Sequence, residues 1–490
     1  MTINNETSST TTINASPTKN FFVEMLTRDI ELEDAILDLL DNCVDGIQRT
    51  NKENVSLDKP YEHFWAQISF SETGFEIEDN CGGISIDIAK GSAFRMGSPK
   101  DAGSKDKDVY TIGTYGIGMK RAIFKMGRSS RIVSQTKNDA FEVEITPQWL
   151  GSDDSWDLPF QEIERLLPDN GTKIKVTDLR EGISREFKLS DHSTLHNSLT
   201  GKISNYYNYI LNKGFTVLVN GVKVPITPLT LLWEGKENIT DKNAVAIAPY
   251  LYRGQIAGVE VDLAVGFYRS TPTEEEVDEE TKGSRRSSDT AGWTIVCNDR
   301  VVVYCDKTRL TGWGEATVPS YHPQFIAVSG IVHFRSKDAR SLPITTTKRG
   351  IDSSSDVYLY VKDFMREGLK LFTSYTNKWK KDSSEEKARS SKAQPTSPRE
   401  IFDEVPTSAW TQVRRKTGGS TSATDVGKKY FPKLPSPEAS EHTAITKRIS
   451  FSKPVREVEI VADYLFEDSD RDPSEVAEAC FNKVLREAEK

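Results

Sequence analysis

Thr111–Met119 reads TIGTYGIGM. Glycines at 113, 116 and 118 let the backbone turn its N–H groups inward, where phosphate oxygens can sit. Met119, Lys120, Arg121 and Ala122 continue as helix formers, and a glycine-rich turn that opens a helix is a ready anion site. Taken alone, the stretch reads as readily as a tight loop. Its weight comes from two earlier pieces, Glu31–Ile47 (ELEDAILDLLDNCVDGI) and Ile77–Ile84 (IEDNCGGI).

In the first of these, Leu32, Ala35, Ile36, Leu39, Leu40, Cys43, Val44 and Ile47 recur at three- and four-residue steps and predict an amphipathic helix. The other face carries Asp34, Asp38, Asp41, Asn42 and Asp45 within an arc of roughly 100°. One reading is a solvated acidic face. The other is a face that meets a cation. Mg2+ takes oxygen ligands and keeps several waters, so one amide or carboxylate oxygen beside substrate phosphates suffices.

Phe64–Phe70 and Gly74–Glu78 predict two strands joined by a polar turn. The second runs into Asp79, whose carboxylate can accept from a ligand amino group or close an Asx turn. Gly91–Tyr110 is polar and lies between two ligand-contact candidates, as lid loops do. Arg131–Ser134 and Ala140–Ile145 predict further strands, and Asn170-Gly171-Thr172 leads into another, Lys173–Val176.

A chain of 490 residues allows two or three domains and a sizeable core. No run of 18 apolar residues exists, so no membrane span is expected. Residues 1–20 are Thr/Asn/Ser-rich without a signal-peptide pattern and read as a disordered arm. The five cysteines are scattered, with no CxxC pair, and point to a reducing cytoplasm. A net charge of −9 disfavours non-specific nucleic-acid binding by the whole surface and leaves room for a local basic groove.

DLLDNCVDG, EDNCGGI, IGTYGIGMKRA and NGTKIKV follow one another in the order and spacing of four nucleotide-binding boxes. Over about 30–180 the chain resembles the GHKL ATP-binding family, which includes Hsp90, MutL, the type II topoisomerase ATPase subunit, sensor histidine kinases and the MORC proteins. The glycine box and the Asp41-Asn42 pair lean toward MORC and Hsp90. The resemblance implies an α/β fold (an α+β sandwich) with a Bergerat-type ATP-binding domain over 21–185, and ATP and Mg2+ as cofactors. Asn42 would coordinate Mg2+ and Asp79 would accept from the adenine amino group. Gly83 would pass close to the base. Gly113, Gly116 and Gly118, with Met119 and Lys120 beside them, would wrap the phosphates, and Thr172 would support the adenine contact through a water. Residues 91–112 would be the lid. Two departures stand out. The family's catalytic glutamate is Asp38 here, still a carboxylate able to act as a general base but one methylene shorter, and the first glycine of the second box is Cys81.

Residues 186–380 predict a mixed α/β, transducer-like domain. It holds a helix over Ser193–Leu211, a hairpin at Asn220-Gly221, an acidic then basic insertion at Thr271–Thr290, a strand region at Phe325–Phe334 and a helix over Val357–Phe372. In relatives with such a domain, a lysine reaches the γ-phosphate from a loop before a helix. Lys348 is placed similarly, with Arg349 in reserve, and a basic surface turn is the other reading. Residues 381–453 read as a largely flexible linker, and 454–490 as a C-terminal helical segment. The functional expectation is Mg-dependent ATP binding with slow hydrolysis, driving nucleotide-gated homodimerisation or domain closure on a protein or DNA client. The alternative is an ATP-binding switch without useful turnover. A histidine kinase fits least, since no His precedes the first box.

Overall fold

Strand β1 (Trp65–Ser71) buries Ala66, Ile68 and Phe70 and leaves the alternate residues wholly or partly exposed, the period of a sheet with one covered face. Across its neighbours, one row of that face reads Ile68, Ile77, Ile174, Ile132 and Val143, each opposite the next. Such cross-strand apolar pairs set the register, because a one-residue slip would turn the whole row to water. The computed structural model describes residues 18–50, 59–95, 110–112, 116–189, 194–235, 245–282, 290–345, 348–380, 382–414, 426–437 and 451–489. Of the expected disordered arm over 1–20, residues 1–17 lie outside them, as do most of the lid and Gly113, whereas Lys19 and Asn20 begin a helix.

The first sheet runs β5-β4-β3-β6-β2-β1-β7-β8. Its strands are β2 (Gly74–Asp79), β3 (Gly127–Gln135), β4 (Ala140–Ile145), β5 (Phe160–Glu162), β6 (Gly171–Leu179), β7 (Thr216–Val219) and β8 (Val222–Lys223), besides β1. All neighbours are antiparallel except β1 and β7. Helix α1 (Lys19–Arg28), helix α2 (Leu32–Thr50) and the helix Gly118–Met126 share one core with Ile68, Ile77, Ile174 and Ile132 of that row. This is the expected α+β sandwich. The Asn220-Gly221 turn is left-handed at both residues, as a two-residue hairpin needs.

A second sheet follows in the order β13-β12-β14-β11-β10-β17-β16. Its strands are β10 (Tyr250–Ile256), β11 (Val259–Phe267), β12 (Gly292–Cys297), β13 (Arg300–Asp306), β14 (Val328–Arg335), β16 (Thr411–Arg414) and β17 (Val426–Tyr430). The long helix Asp356–Trp379 packs Tyr358, Val361, Met365 and Phe372 into the same core, with Phe364 stacked on Tyr252 at 4.0 Å.

Residues 382–414 and 426–437 correct the expectation of a largely flexible linker over 381–453. β15 (Gln394–Thr396) pairs with β9 (Leu231–Trp233), and β16 and β17 extend the second sheet. Ile401, Phe402 and Val405 close a small core with Leu231, Trp233 and Leu251. Polar composition hid this, because an edge strand such as β16 is held by backbone hydrogen bonds that need no apolar pattern. In the 271–290 insertion, Glu274–Thr281 is a helix with a capping box between Thr273 and Glu276, so this part is ordered.

The chain divides into two units, 1–437 and 438–490. The second unit holds the helices Val455–Phe466 and Pro473–Ala488, with Asp472 capping Ser474 as its sequence predicts. Only Ala462 and Val476 are buried in this pair, while Phe481, Val484 and Leu485 are exposed.

Candidate functional site

Helix α2 is buried on both faces. Its apolar side enters the core, and its four aspartates are also sealed, Asp34 at 4 %, Asp38 at 6 %, Asp41 at 1 % and Asp45 at 5 % exposure. Charges survive such burial only when paired. Arg349 pairs with Asp34, Arg121 pairs with Asp38, and Lys348 Nζ lies 3.0 Å from Asp41 Oδ2 and 3.9 Å from Asp38 Oδ1. Arg300 Nε donates to Asp41 Oδ1 at 2.9 Å, and the Tyr207 hydroxyl donates to the same oxygen at 2.6 Å. The Ile112 N–H donates to Asp45 Oδ1 at 2.6 Å. The acidic face is therefore neither solvated nor bare: cations from the second sheet's lobe cover most of it.

Burial alone would raise the Asp41 carboxyl, but Lys348, Arg300 and Tyr207 outweigh it and hold Asp41 below the ordinary carboxylate range. Burial likewise opposes the charge on Lys348, yet Asp41, Asp38 and Asp45 hold the ammonium above its ordinary value. Both groups are charged at neutral pH.

Between residues 34 and 47, Asn42 alone is exposed. Its amide engages no partner among the described residues. No group of three or more His, Cys, Asp or Glu among the described residues could hold a metal. The donor set therefore fits a Mg2+ ion that would arrive with phosphate oxygens and take Asn42 as its protein ligand, the mode such ions favour.

The second box forms the opposite wall. Asp79 ends β2, with its Oδ1 accepting the Cys81 N–H at 2.7 Å and its Oδ2 3.5 Å from the Cys43 thiol. Low-polarity surroundings push its carboxyl up to about 6, against the hydrogen bonds it accepts. Cys81 fits in place of a glycine because Gly46 of α2 leaves the room: a Cβ on Gly46 would stand 2.6 Å from the Cys81 carbonyl oxygen and 3.2 Å from its Cβ. Gly83 is left-handed (φ +71°), and a Cβ there would stand 2.1 Å from the Gln135 carbonyl oxygen. Only glycine allows the turn to lie against β3 and β6. Thr172 heads β6, with its Oγ1 2.9 Å from Ser134 Oγ, which accepts the Ile84 N–H at 2.8 Å.

Gly116 is exposed and left-handed, and Gly118 opens its helix so close to α2 that an added Cβ would stand 3.4 Å from Asp38. Met119 is buried. Lys120 is buried too, and its ammonium donates to the carbonyls of Ala93 (2.7 Å), Arg95 (2.8 Å) and Gly116. All three of its protons are thus taken by backbone oxygens, which ties the segment after the second box to the glycine stretch. Burial lowers its pKa to about 8.

Asp38, Gly118 and Lys348 come together at α2, the helix that also carries the exposed Asn42. Asp79, Gly83 and Thr172 form a second group at the ends of β2 and β6, linked to the first through Cys43. The sequence reading missed Arg121, Tyr207, Arg300 and Ser134. Arg121 stood in the quoted glycine box. The Asn298–Arg300 turn carries no local signal, since its meaning lies in Asp41, 259 positions away.

Residues 30–178 match the family model described as histidine kinase-, DNA gyrase B-, and HSP90-like ATPase. Over these residues the chain is similar to the GHKL-type ATPases. No curated protein matches the chain.

Proposed function

We propose that the chain is a Mg-dependent ATPase whose first lobe binds ATP between α2 and the β2 turn and whose second lobe senses the terminal phosphate through Lys348. The observation that carries this reading is the Lys348–Asp41–Asp38 cluster, in which a cation from the second lobe enters the motif that positions a nucleotide's reacting end.

In this reading Asp79 accepts from the adenine amino group, and Gly83 lets the base approach the turn. Gly116 and Gly118 turn their N–H groups to the phosphates, with Met119 holding the helix start; Gly113, the third glycine of the box, lies outside the described residues. Lys120 acts indirectly, by fixing Gly116 and the 93–95 carbonyls. Asn42 would hold a Mg2+ ion brought by the phosphate oxygens, and that ion would supply charge neutralisation. Asp38 takes the proton of the attacking water, whose oxygen bonds to the γ-phosphorus as the bond to the bridging oxygen breaks. Lys348 leaves Asp41 for the γ-phosphate and Arg300 remains on Asp41, so the aspartate is never left unpaired. Closure of the second lobe then depends on the γ-phosphate. Relatives of this organisation dimerise on ATP binding, and a homodimer closing on a protein or DNA client in the cytoplasm is part of the proposal.

One observation favours a second reading, a nucleotide-gated switch without useful turnover: Arg121 already occupies an oxygen of the short Asp38 side chain. The deciding experiment is Mg·ATP turnover at several protein concentrations for the wild type, Asp38→Ala and Asn42→Ala. Turnover that rises faster than protein concentration and is lost in both variants supports the ATPase. Nucleotide-dependent dimerisation without phosphate release supports the switch. Absence of saturable Mg·ATP binding ends both.

A further inference from the structure

The β12–β13 hairpin of the second sheet turns through Asn298 and Asp299, both left-handed (φ +44° and +72°), into Arg300. All three are buried, at 1 %, 5 % and 3 % exposure, which is unusual for the polar tip of a hairpin. Each has a firm partner in the first lobe. Asn298 Nδ2 donates to the Thr111 carbonyl at 3.0 Å. Asp299 accepts from Lys213 Nζ at 2.6 Å and from the Tyr61 hydroxyl at 3.0 Å. Arg300 donates to Asp41 and to the Tyr206 carbonyl, both at 2.9 Å, with its guanidinium 4.1 Å from the Tyr207 ring centre.

The Thr111 carbonyl and the Ile112 N–H belong to one peptide group. Asn298 holds its oxygen and Asp45 of α2 holds its nitrogen. This peptide stands immediately before the glycine stretch in the chain. The same hairpin tip grips α2 one turn earlier, at Asp41, the neighbour of Asn42. Asn298 is itself fixed from behind, accepting the Ser336 N–H at 2.9 Å and donating to the Ser336 carbonyl at 2.8 Å.

We infer that Asn298 and Arg300 are positioning residues for the nucleotide reaction: the hairpin tip clamps the 111–112 peptide against α2 and so sets where the phosphate-contacting glycine stretch begins. The inference rests on the reading under Proposed function. It adds to Lys348 a second contact from the same lobe, one that is present without a γ-phosphate.

The test uses the full chain. Asn298→Gly keeps the left-handed backbone and removes only the amide. In the nucleotide-free protein it is expected to speed hydrogen exchange of the Ile112 amide about tenfold, while amides of β3 keep wild-type protection. With ATP its KM rises about fivefold at nearly constant kcat. Unchanged exchange at Ile112 overturns the inference, as does faster exchange with an unchanged KM. If Asn298→Gly does not fold, Arg300→Met is read by the same exchange, with the same about tenfold rise expected. A wild type without saturable Mg·ATP binding defeats the functional reading instead, and the exchange result then judges the clamp separately.

Discussion

Lys348 Nζ stands 3.0 Å from Asp41 Oδ2, an ion pair that joins residues 307 positions apart and is almost sealed from water. The pair ties the second lobe to the helix that carries Asp38 and Asn42. Lys348→Met removes one of two cations on Asp41 and leaves Arg300 and Tyr207 in place. The expected loss of stability is below the about 3–5 kcal/mol of an orphaned buried charge. Turnover is expected to fall about a hundredfold, the size of effect seen when one donor to a developing phosphate charge is lost. Steady-state rates beside a denaturant midpoint check both, and unaltered turnover would remove Lys348 from the reaction.

Asp79 gives a pH dependence. Its carboxyl is raised from the ordinary value to about 6, so between about pH 4 and 6 the folded protein binds a proton that the unfolded chain has released. Ionising Asp79 therefore lowers stability as pH rises through that window. A ligand amino group that donates to the carboxylate reverses the preference and pulls the pKa down. ATP affinity is expected to weaken as pH falls below about 6 in the wild type, and to be weak and flat with pH in Asp79→Asn. Calorimetric titration between pH 5 and 8 checks this; a flat wild-type profile would place the adenine contact elsewhere.

Much of the first lobe was legible because its signals are local. Ala140–Ile145 alternates in sequence and is β4 in the structure, and the periodic apolar face of Glu31–Ile47 became α2. The acidic face was not legible. Five polar residues on one side of a helix look alike whether water or four cations cover them, and those cations lie at 121, 300, 348 and 349. The same limit hid β16 and β17, whose pairing is made by backbone groups that every residue carries. Cys81 was read as a departure, and its tolerance became visible only when Gly46 was seen against it.

Gly83→Ala tests the adenine turn. The new methyl meets both a left-handed backbone and the Gln135 carbonyl at 2.1 Å, so its cost exceeds the about 1–3 kcal/mol of left-handed strain alone. Nucleotide binding is expected to be lost along with it. Gly182→Ala, whose Cβ would meet nothing within 4 Å, is the control and should leave thermal stability and binding intact. Equal behaviour of the two variants would mean that the 82–84 turn shifts without consequence.

Asp38 and Asp41 lie one turn apart on α2, and their amides should behave oppositely. Asp38→Asn keeps the shape, removes the base and leaves Arg121 as an unpaired cation facing the site. ATP binding should be retained or tightened, because a negative charge has gone from beside the phosphates, while turnover falls by about two orders of magnitude or more. Asp41→Asn instead strips the partner from the buried Arg300 and the largely buried Lys348, and should destabilise the fold by about 3–5 kcal/mol before chemistry is measured. Because the native Asp41 carboxyl sits below its ordinary value, its contribution is in place above about pH 4 and is lost as pH falls through the folded pKa. Thermal midpoints of the two variants at pH 7 and in acid, with ATP binding and phosphate release measured on the same samples, separate a base from a strut. If Asp38→Asn kept turning over ATP, water activation would have to come from another group.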